Sequence, residues 1–233
     1  MVDTVLVAGA TGGTGQQIVA KLRSAGFEVR ALVRDLEKAK ELLGNDVELV
    51  QGSTLDTITL PRAVVGTQAV ICATGTRIPA GDERPERVDY EGVKNLVLAT
   101  RNASIPRFIL ISSAMVTHPE HPLNNFGRVL DWKLKGENAV RESGLAYTII
   151  RPGGLTDDSG GASGILIDQG DKISGRISRN DVAAAVRHAL NNISTYHTTF
   201  EIINVEGDPH SLDRAEHWQN LFAALQTDRK LNA

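Results

Sequence analysis

The stretch Val5-Leu-Val-Ala-Gly9-Ala-Thr-Gly12-Gly-Thr-Gly15-Gln-Gln-Ile-Val19 limits what this chain can fold into more than any other segment. An apolar run of strand length leads straight into a glycine turn, and the turn opens an amphipathic helix. Glycines at positions 9, 12 and 15 allow a tight turn, close approach of the backbone to a ligand, and close packing of helix on strand. The first turn of the helix presents unpaired N–H groups at the positive end of a dipole, which is a seat for a diphosphate. Glycine turns without such flanks are plain loops. With both flanks in place, Gly9, Thr11, Gly12, Gly13, Thr14 and Gly15 read as a dinucleotide-binding turn.

Strand-like runs at 4–9, 27–33, 47–51, 69–73, 107–112, 147–151 and 200–205 alternate with helical periodicity. Gly26 stops the first helix, Asp35 caps the second, and Thr59-Leu-Pro61 opens a short third. Longer helices are predicted at 86–103 and 125–143, with two more at 180–191 and 211–226. The pattern predicts an α/β fold: a Rossmann-type doubly wound parallel sheet, order 3-2-1-4-5-6-7, with helices on both faces and a small C-terminal portion. At 233 residues this is one domain, 1–233, in which residues 152–178 and 206–233 contribute a minimal substrate-side portion. Asp157-Asp-Ser-Gly-Gly-Ala-Ser-Gly164 is a loop within it, not a linker.

The net charge of −3 gives no reason to expect nucleic acid or an anionic membrane as partner. No stretch approaches the ~20 apolar residues of a membrane span, and the first strand starts before a signal peptide would fit. A cytoplasmic protein is expected, or one of the plastid stroma if a transit peptide has been removed. The single cysteine, Cys72, rules out a disulfide framework and falls in a buried strand, so it reads as a core residue. Pro119 separates His118 from His121 and spoils helical ligand spacing, so no metal is expected.

In open parallel sheets, ligands lie at the carboxyl ends of the strands, where the order reverses. At the second tip, Arg34 could pair a 2′-phosphate, with Lys38 as helper; otherwise it is a solvated arginine beside Asp35. Asp56 either edges the adenine or caps the next helix. Ala73, Thr74 and Gly75 form a small-residue tip against which a cofactor can lie. Ser112 and Ser113 end the fifth strand, within reach of a substrate carbonyl or the nicotinamide ribose. A lysine facing the cleft from the fifth helix, Lys133 or Lys135, could bridge ribose hydroxyls. Pro152-Gly153-Gly154 could clamp the nicotinamide amide through its backbone, and His118, in a loop after the fifth strand, could donate a proton.

Several of these pieces resemble the atypical short-chain dehydrogenase/reductase family and its small NmrA-like branch. They are Gly9-Ala-Thr-Gly12-Gly-Thr-Gly15, Ala31-Leu-Val-Arg34-Asp35, Val88-Asp-Tyr-Glu-Gly92-Val-Lys-Asn95, Ser143 through Leu155, and Ile177-Ser-Arg-Asn-Asp181-Val-Ala. The stretch from Thr117 to Glu137 is similar to a plant and cyanobacterial subgroup, with biliverdin-IXβ/flavin reductase a more distant likeness. The resemblance implies that Arg34 meets the 2′-phosphate of NADP(H) and that Lys133 lies on the cofactor ribose, in a register fixed by Glu137. It also implies that Asn95 is structural. Two departures stand out. Classical members carry a Tyr-x-x-x-Lys pair, and the position four before Lys133 is Val129; in the other frame Asp131 precedes Lys135. Many relatives have aspartate where this chain has Ser53.

The expected function is therefore an NADP(H)-dependent oxidoreductase that passes hydride to a small or planar conjugated acceptor such as a flavin, quinone or enone. Catalytic candidates are Ser113, Lys133 and His118. The alternatives are a non-catalytic NADP(H)-binding redox sensor or assembly factor and, third, a nucleotide-sugar epimerase or dehydratase. The expected partner is a small-molecule substrate, with a homodimer or a protein partner left open.

Overall fold

Along the first strand, Val5 and Val7 point to one side, Leu6 and Ala8 to the other, and all four are buried. Burial on both sides marks a strand in the middle of a sheet that is covered on both faces. The computed structural model, which describes residues 4–76, 81–206 and 215–228, has that architecture. Its strands are β1 (Thr4–Ala8), β2 (Glu28–Val33), β3 (Glu48–Gln51), β4 (Ala69–Cys72), β5 (Arg107–Ile111), β6 (Ala146–Pro152), β7 (Gly154–Thr156), β8 (Gly164–Asp168), β9 (Arg176–Ser178) and β10 (Thr198–Val205). The main sheet runs β3-β2-β1-β4-β5-β6-β10-β8. All its pairs are parallel except β10 with β8. The expected order 3-2-1-4-5-6-7 holds, with β10 as the seventh strand. The antiparallel edge strand β8 and the two-stranded β7–β9 sheet are additional to it.

Helices α1 (Gly13–Ser24), α2 (Leu36–Leu43), α6 (Arg179–Leu190) and α7 (Ala215–Ala223) cover one face, where Ile18, Leu22, Ala39, Val182, Val186 and Trp218 pack on Val5, Val7 and Ile109. On the other face, α3 (Leu60–Val64), α4 (Gly92–Asn102) and α5 (Val129–Arg141) pack Leu60, Val93, Leu96 and Val140 on Leu6, Val70, Phe108 and Leu110. Cys72 belongs to this second core and is fully buried, and burial pushes its thiol pKa up.

Two helix boundaries differ from expectation. The helix predicted from 86 begins with a π-helical turn, Glu86–Glu91, before α4 proper. The helix predicted from 125 begins only at Val129, because Pro122–Asn125 form a 3-10 turn and Gly127 (φ +60°) and Arg128 (φ +56°) take left-handed backbone. Of the last predicted helix, residues 211–214 lie outside the described residues. No helix among the described residues is long and apolar enough to cross a membrane.

At the amino ends of the strands, far from the tips, buried Arg107 staples the sheet to the end of α6. It donates to the carbonyl oxygens of Ala146, Ala189 and Leu190 and to the hydroxyls of Thr148 and Thr195. Burial lowers its pKa to about 10.

Candidate functional site

The sheet order reverses between β1 and β4, so the loops after these two strands diverge and leave a crevice at their carboxyl ends. A cleft of about 780 Å³ opens there. Of the residues expected to bind cofactor, Gly9, Thr11, Gly12, Arg34, Asp56, Ala73, Thr74 and Gly75 line it. Gly9 has φ +82°, and a Cβ there would lie 2.6 Å from the Ala73 carbonyl oxygen. A Cβ on Gly15 would lie 2.1 Å from the Gly9 carbonyl oxygen. The first glycine thus lets the turn cross the β4 tip, and the third lets α1 rest on the turn. Gly12 N–H donates to Gly9 O (3.0 Å), and α1 starts with no side-chain cap and no acidic residue in its first turn. Gly13, Thr14 and Gly15 make up that turn, so their N–H groups stand at the dipole's positive end. A turn packed this closely on its own backbone, opening on an uncapped helix start that lines the cleft, fits a dinucleotide diphosphate.

Arg34 ends the second tip and pairs with Glu83 at 2.6 Å; its side chain is 69% exposed. Asp35 caps α2 through Lys38 N–H. Asp56 does not cap α3, whose N-cap is Thr59; its carboxylate accepts from Ile58 N–H (3.1 Å) in a local turn and also lines the cleft. Ser53 Oγ accepts from Leu55 N–H. Sequence reasoning missed Arg87, whose Nε lies 3.3 Å from Asp82 at the cleft wall.

A small recess adjoins the cleft at Thr74. Ser112 and Lys133 line it together with Asp89. Lys133 Nζ donates to Asp89 Oδ1 at 2.7 Å, whereas Lys135 lies over the Trp132 ring at 3.9 Å. Lys133 is thus the lysine turned toward the strand tips. Ser112 Oγ is buried and has no hydrogen-bond partner among the described residues, so a polar ligand atom would satisfy it. Val129, four residues before Lys133, packs with Val116 and Leu130.

Three expected contributors are engaged elsewhere. Ser113 Oγ donates to Ala114 O (3.0 Å), and His118 Nε2 lies 3.0 Å from Asp171 O. Gly153 N–H donates to Ile202 O and Gly154 N–H to Gly175 O, because the chain turns there from β6 into β7. Pro152 O accepts from Ala114 N–H.

Beneath the recess lies a buried charge network. Arg151 binds both carboxylate oxygens of Glu137 (2.9 and 2.7 Å) and reaches Glu201 at 3.2 Å. Burial pushes the Glu201 carboxyl pKa up, and the Glu137 carboxylate raises that of Arg151. Asp171, beside Arg151, accepts from Met115 N–H, Thr117 N–H and Thr117 Oγ1, and its own N–H donates to Glu201. The network therefore joins α5 to the loop after β5.

The NAD(P)H-binding family matches residues 9–193. The chain is 36% identical to an uncharacterized chloroplastic protein of Arabidopsis thaliana, over 95% of this chain and 82% of that protein. It is 34% identical to sanguinarine reductase of Eschscholzia californica, over 80% of this chain and 84% of that enzyme. Among solved structures, the oxidoreductase ylbE of Lactococcus lactis superposes with a TM-score of 0.80 at 22% identity, over 96% of this chain and 98% of that one, a likeness of fold. The match across most of the chain, on a glycine turn and crevice of the right shape, makes this protein a member of the NAD(P)H-binding family, of the atypical short-chain dehydrogenase/reductase kind.

Proposed function

We propose that the protein is an NADP(H)-dependent oxidoreductase of the NmrA-like branch that reduces a small or planar conjugated acceptor. The observation that carries this reading is the layout of one continuous site. A guanidinium stands at one end, the glycine turn in the middle, and a lysine with an unsatisfied serine hydroxyl at the other, with no phenol in the classical register. The bound nicotinamide supplies the hydride. Arg34 meets the 2′-phosphate, the α1 amides hold the diphosphate, and Lys133 with Ser112 holds the ribose next to the reacting ring. The Pro152–Gly154 turn, Ser113 and His118 border the acceptor side, together with residues 152–178.

Val129 cannot give a proton, so the site suits acceptors whose reduced form takes its proton from water: a flavin, a quinone or an enone. A relative named as a reductase supports the same class of chemistry. The cytoplasm or the plastid stroma is the matching compartment, a relative being named as chloroplastic, and a homodimer is compatible with it.

Stopped-flow oxidation of NADPH against a panel of flavins, quinones and enones tests the reading. Turnover above the uncatalysed rate with at least one class is expected. Tight NADPH binding with no turnover on any of them would instead favour a non-catalytic redox sensor, the reading that the missing phenol also permits.

A further inference from the structure

We propose that Asp89 is the positioning residue of this site, aiming the Lys133 ammonium at two neighbouring hydroxyl oxygens of the nicotinamide ribose. The inference rests on the proposed placement of Lys133 at the cofactor. Asp89 is almost fully buried in the π-helical turn that precedes α4. Its two oxygens are divided: Oδ1 accepts from Lys133 Nζ at 2.7 Å and Oδ2 from Thr76 Oγ1 at 2.6 Å. A buried carboxylate is costly unless both oxygens are satisfied, and here both are.

Local geometry is arranged around this contact. A Cβ on Gly136 would lie 2.4 Å from the Asp89 carbonyl oxygen, so α5 approaches the turn as closely as only glycine permits. That approach brings Lys133, one turn earlier on α5, against the carboxylate. π-Helical turns occur often at functional sites, and this one lies where Asp89 meets α5. Thr76, at the end of the β4 tip, ties the same carboxylate to the cleft wall.

An ammonium has three N–H donors in fixed tetrahedral directions. With one committed to Asp89, the other two point along set lines, and the pair as a whole is close to neutral. A paired lysine of this kind suits the two hydroxyls of a ribose diol better than a phosphate anion. A Cβ on Gly75 would stand 3.7 Å from Nζ, so the absence of a side chain there leaves the approach to the ammonium open. Ser112 Oγ, which has no partner among the described residues, lines the same recess.

The test is a double-mutant cycle on NADPH affinity by calorimetry, using Asp89→Asn, Lys133→Ala and the double variant, with thermal unfolding followed in parallel. Asp89→Asn keeps the shape and is expected to weaken NADPH roughly tenfold. In the Lys133→Ala background the same change should cost almost nothing further, because its effect runs through the lysine. Full additivity of the two losses, or no loss from Asp89→Asn while Lys133→Ala binds weakly, overturns the proposal and leaves the site reading intact. If Lys133→Ala itself leaves affinity unchanged, the placement of Lys133 at the cofactor fails instead. Thr76→Val, which removes one bond to the carboxylate from outside the recess, provides a milder second variant. It should weaken NADPH in the same direction, and an unchanged affinity counts against the positioning role.

Discussion

Replacing Arg34 should change which nucleotide binds, and the structure limits by how much. Arg34 pairs with Glu83 at 2.6 Å, and their side chains are 69% and 38% exposed. A 2′-phosphate must take the guanidinium from that carboxylate. Charge-assisted bonds from arginine to phosphate contribute about 1.5–3 kcal/mol. An exposed ion pair such as the one with Glu83 is worth only about 0.2–1 kcal/mol. The difference favours NADP over NAD by roughly 0.5–3 kcal/mol, or from about twofold to about a hundredfold. Arg34→Ala should remove that preference, lowering NADP affinity about tenfold while NAD affinity holds. Glu83→Gln should act oppositely, tightening NADP by about two- to fivefold, because the phosphate no longer competes with a carboxylate. Calorimetric titration of both variants with NAD and NADP measures this, and the Glu83→Gln gain should shrink in high salt, which screens exposed charges. Equal weakening toward both nucleotides in Arg34→Ala, or weaker NADP binding in Glu83→Gln, would refute the reasoning.

Four further outcomes are expected. Gly15→Ala places a Cβ 2.1 Å from Gly9 O, backbone against backbone; denaturant unfolding should show a loss of about 1–3 kcal/mol, and nucleotide titration a marked loss of affinity. Arg151→Met leaves the buried Glu137 carboxylate without its two-pronged partner and should cost about 3–5 kcal/mol, seen by calorimetry as a fall in Tm of roughly 6–20 °C. The Glu201 carboxyl pKa is raised in the fold, so its stabilising contribution is complete below the ordinary carboxylate range and is lost as pH rises through the raised value. Glu201→Gln removes that slope, so its stability relative to the parent protein should improve as pH rises above the ordinary carboxylate range, as chemical denaturation at each pH would show. Cys72 is fully buried with its pKa pushed up, so iodoacetamide should label it only in denaturant; rapid labelling of the folded protein would contradict this.

The parallel sheet was readable because its strands are short apolar runs buried on both faces, and because glycine and proline punctuate the helices between them. Asp35 and Gly44 bound α2 as their chemistry requires. The strands β7, β8 and β9 were not read. β7 and β9 are three residues long with one apolar residue each, and in β8 three apolar residues run together, so none of them shows an alternation to detect. The late start of α5 was hidden for a different reason: Arg128 adopts φ +56° without being glycine, and residue type alone does not announce that.

The glycine turn and Arg34 could be placed at the cleft because each lies at a strand tip. Asp89 left a fainter trace. It lies on the same helical stripe as the buried residues Val93, Leu96, Val97 and Thr100, and a carboxylate on an apolar face calls for a buried partner. The partner, Lys133, lies 44 positions away and is supplied only by the packing of α5 at Gly136. The charge network is more dispersed still. Glu137, Arg151, Asp171 and Glu201 come from a helix, a strand, a loop and another strand, and meet only when the sheet is assembled. Asp171 is held at Glu201 through its backbone N–H while its carboxylate grips the loop that carries Thr117 and His118. Glu137 lies one turn beyond Lys133 on α5. The loop after β5 and the helix that carries Lys133 are therefore anchored to the same guanidinium, Arg151, so the distance between them is set by buried ion pairs as well as by apolar packing.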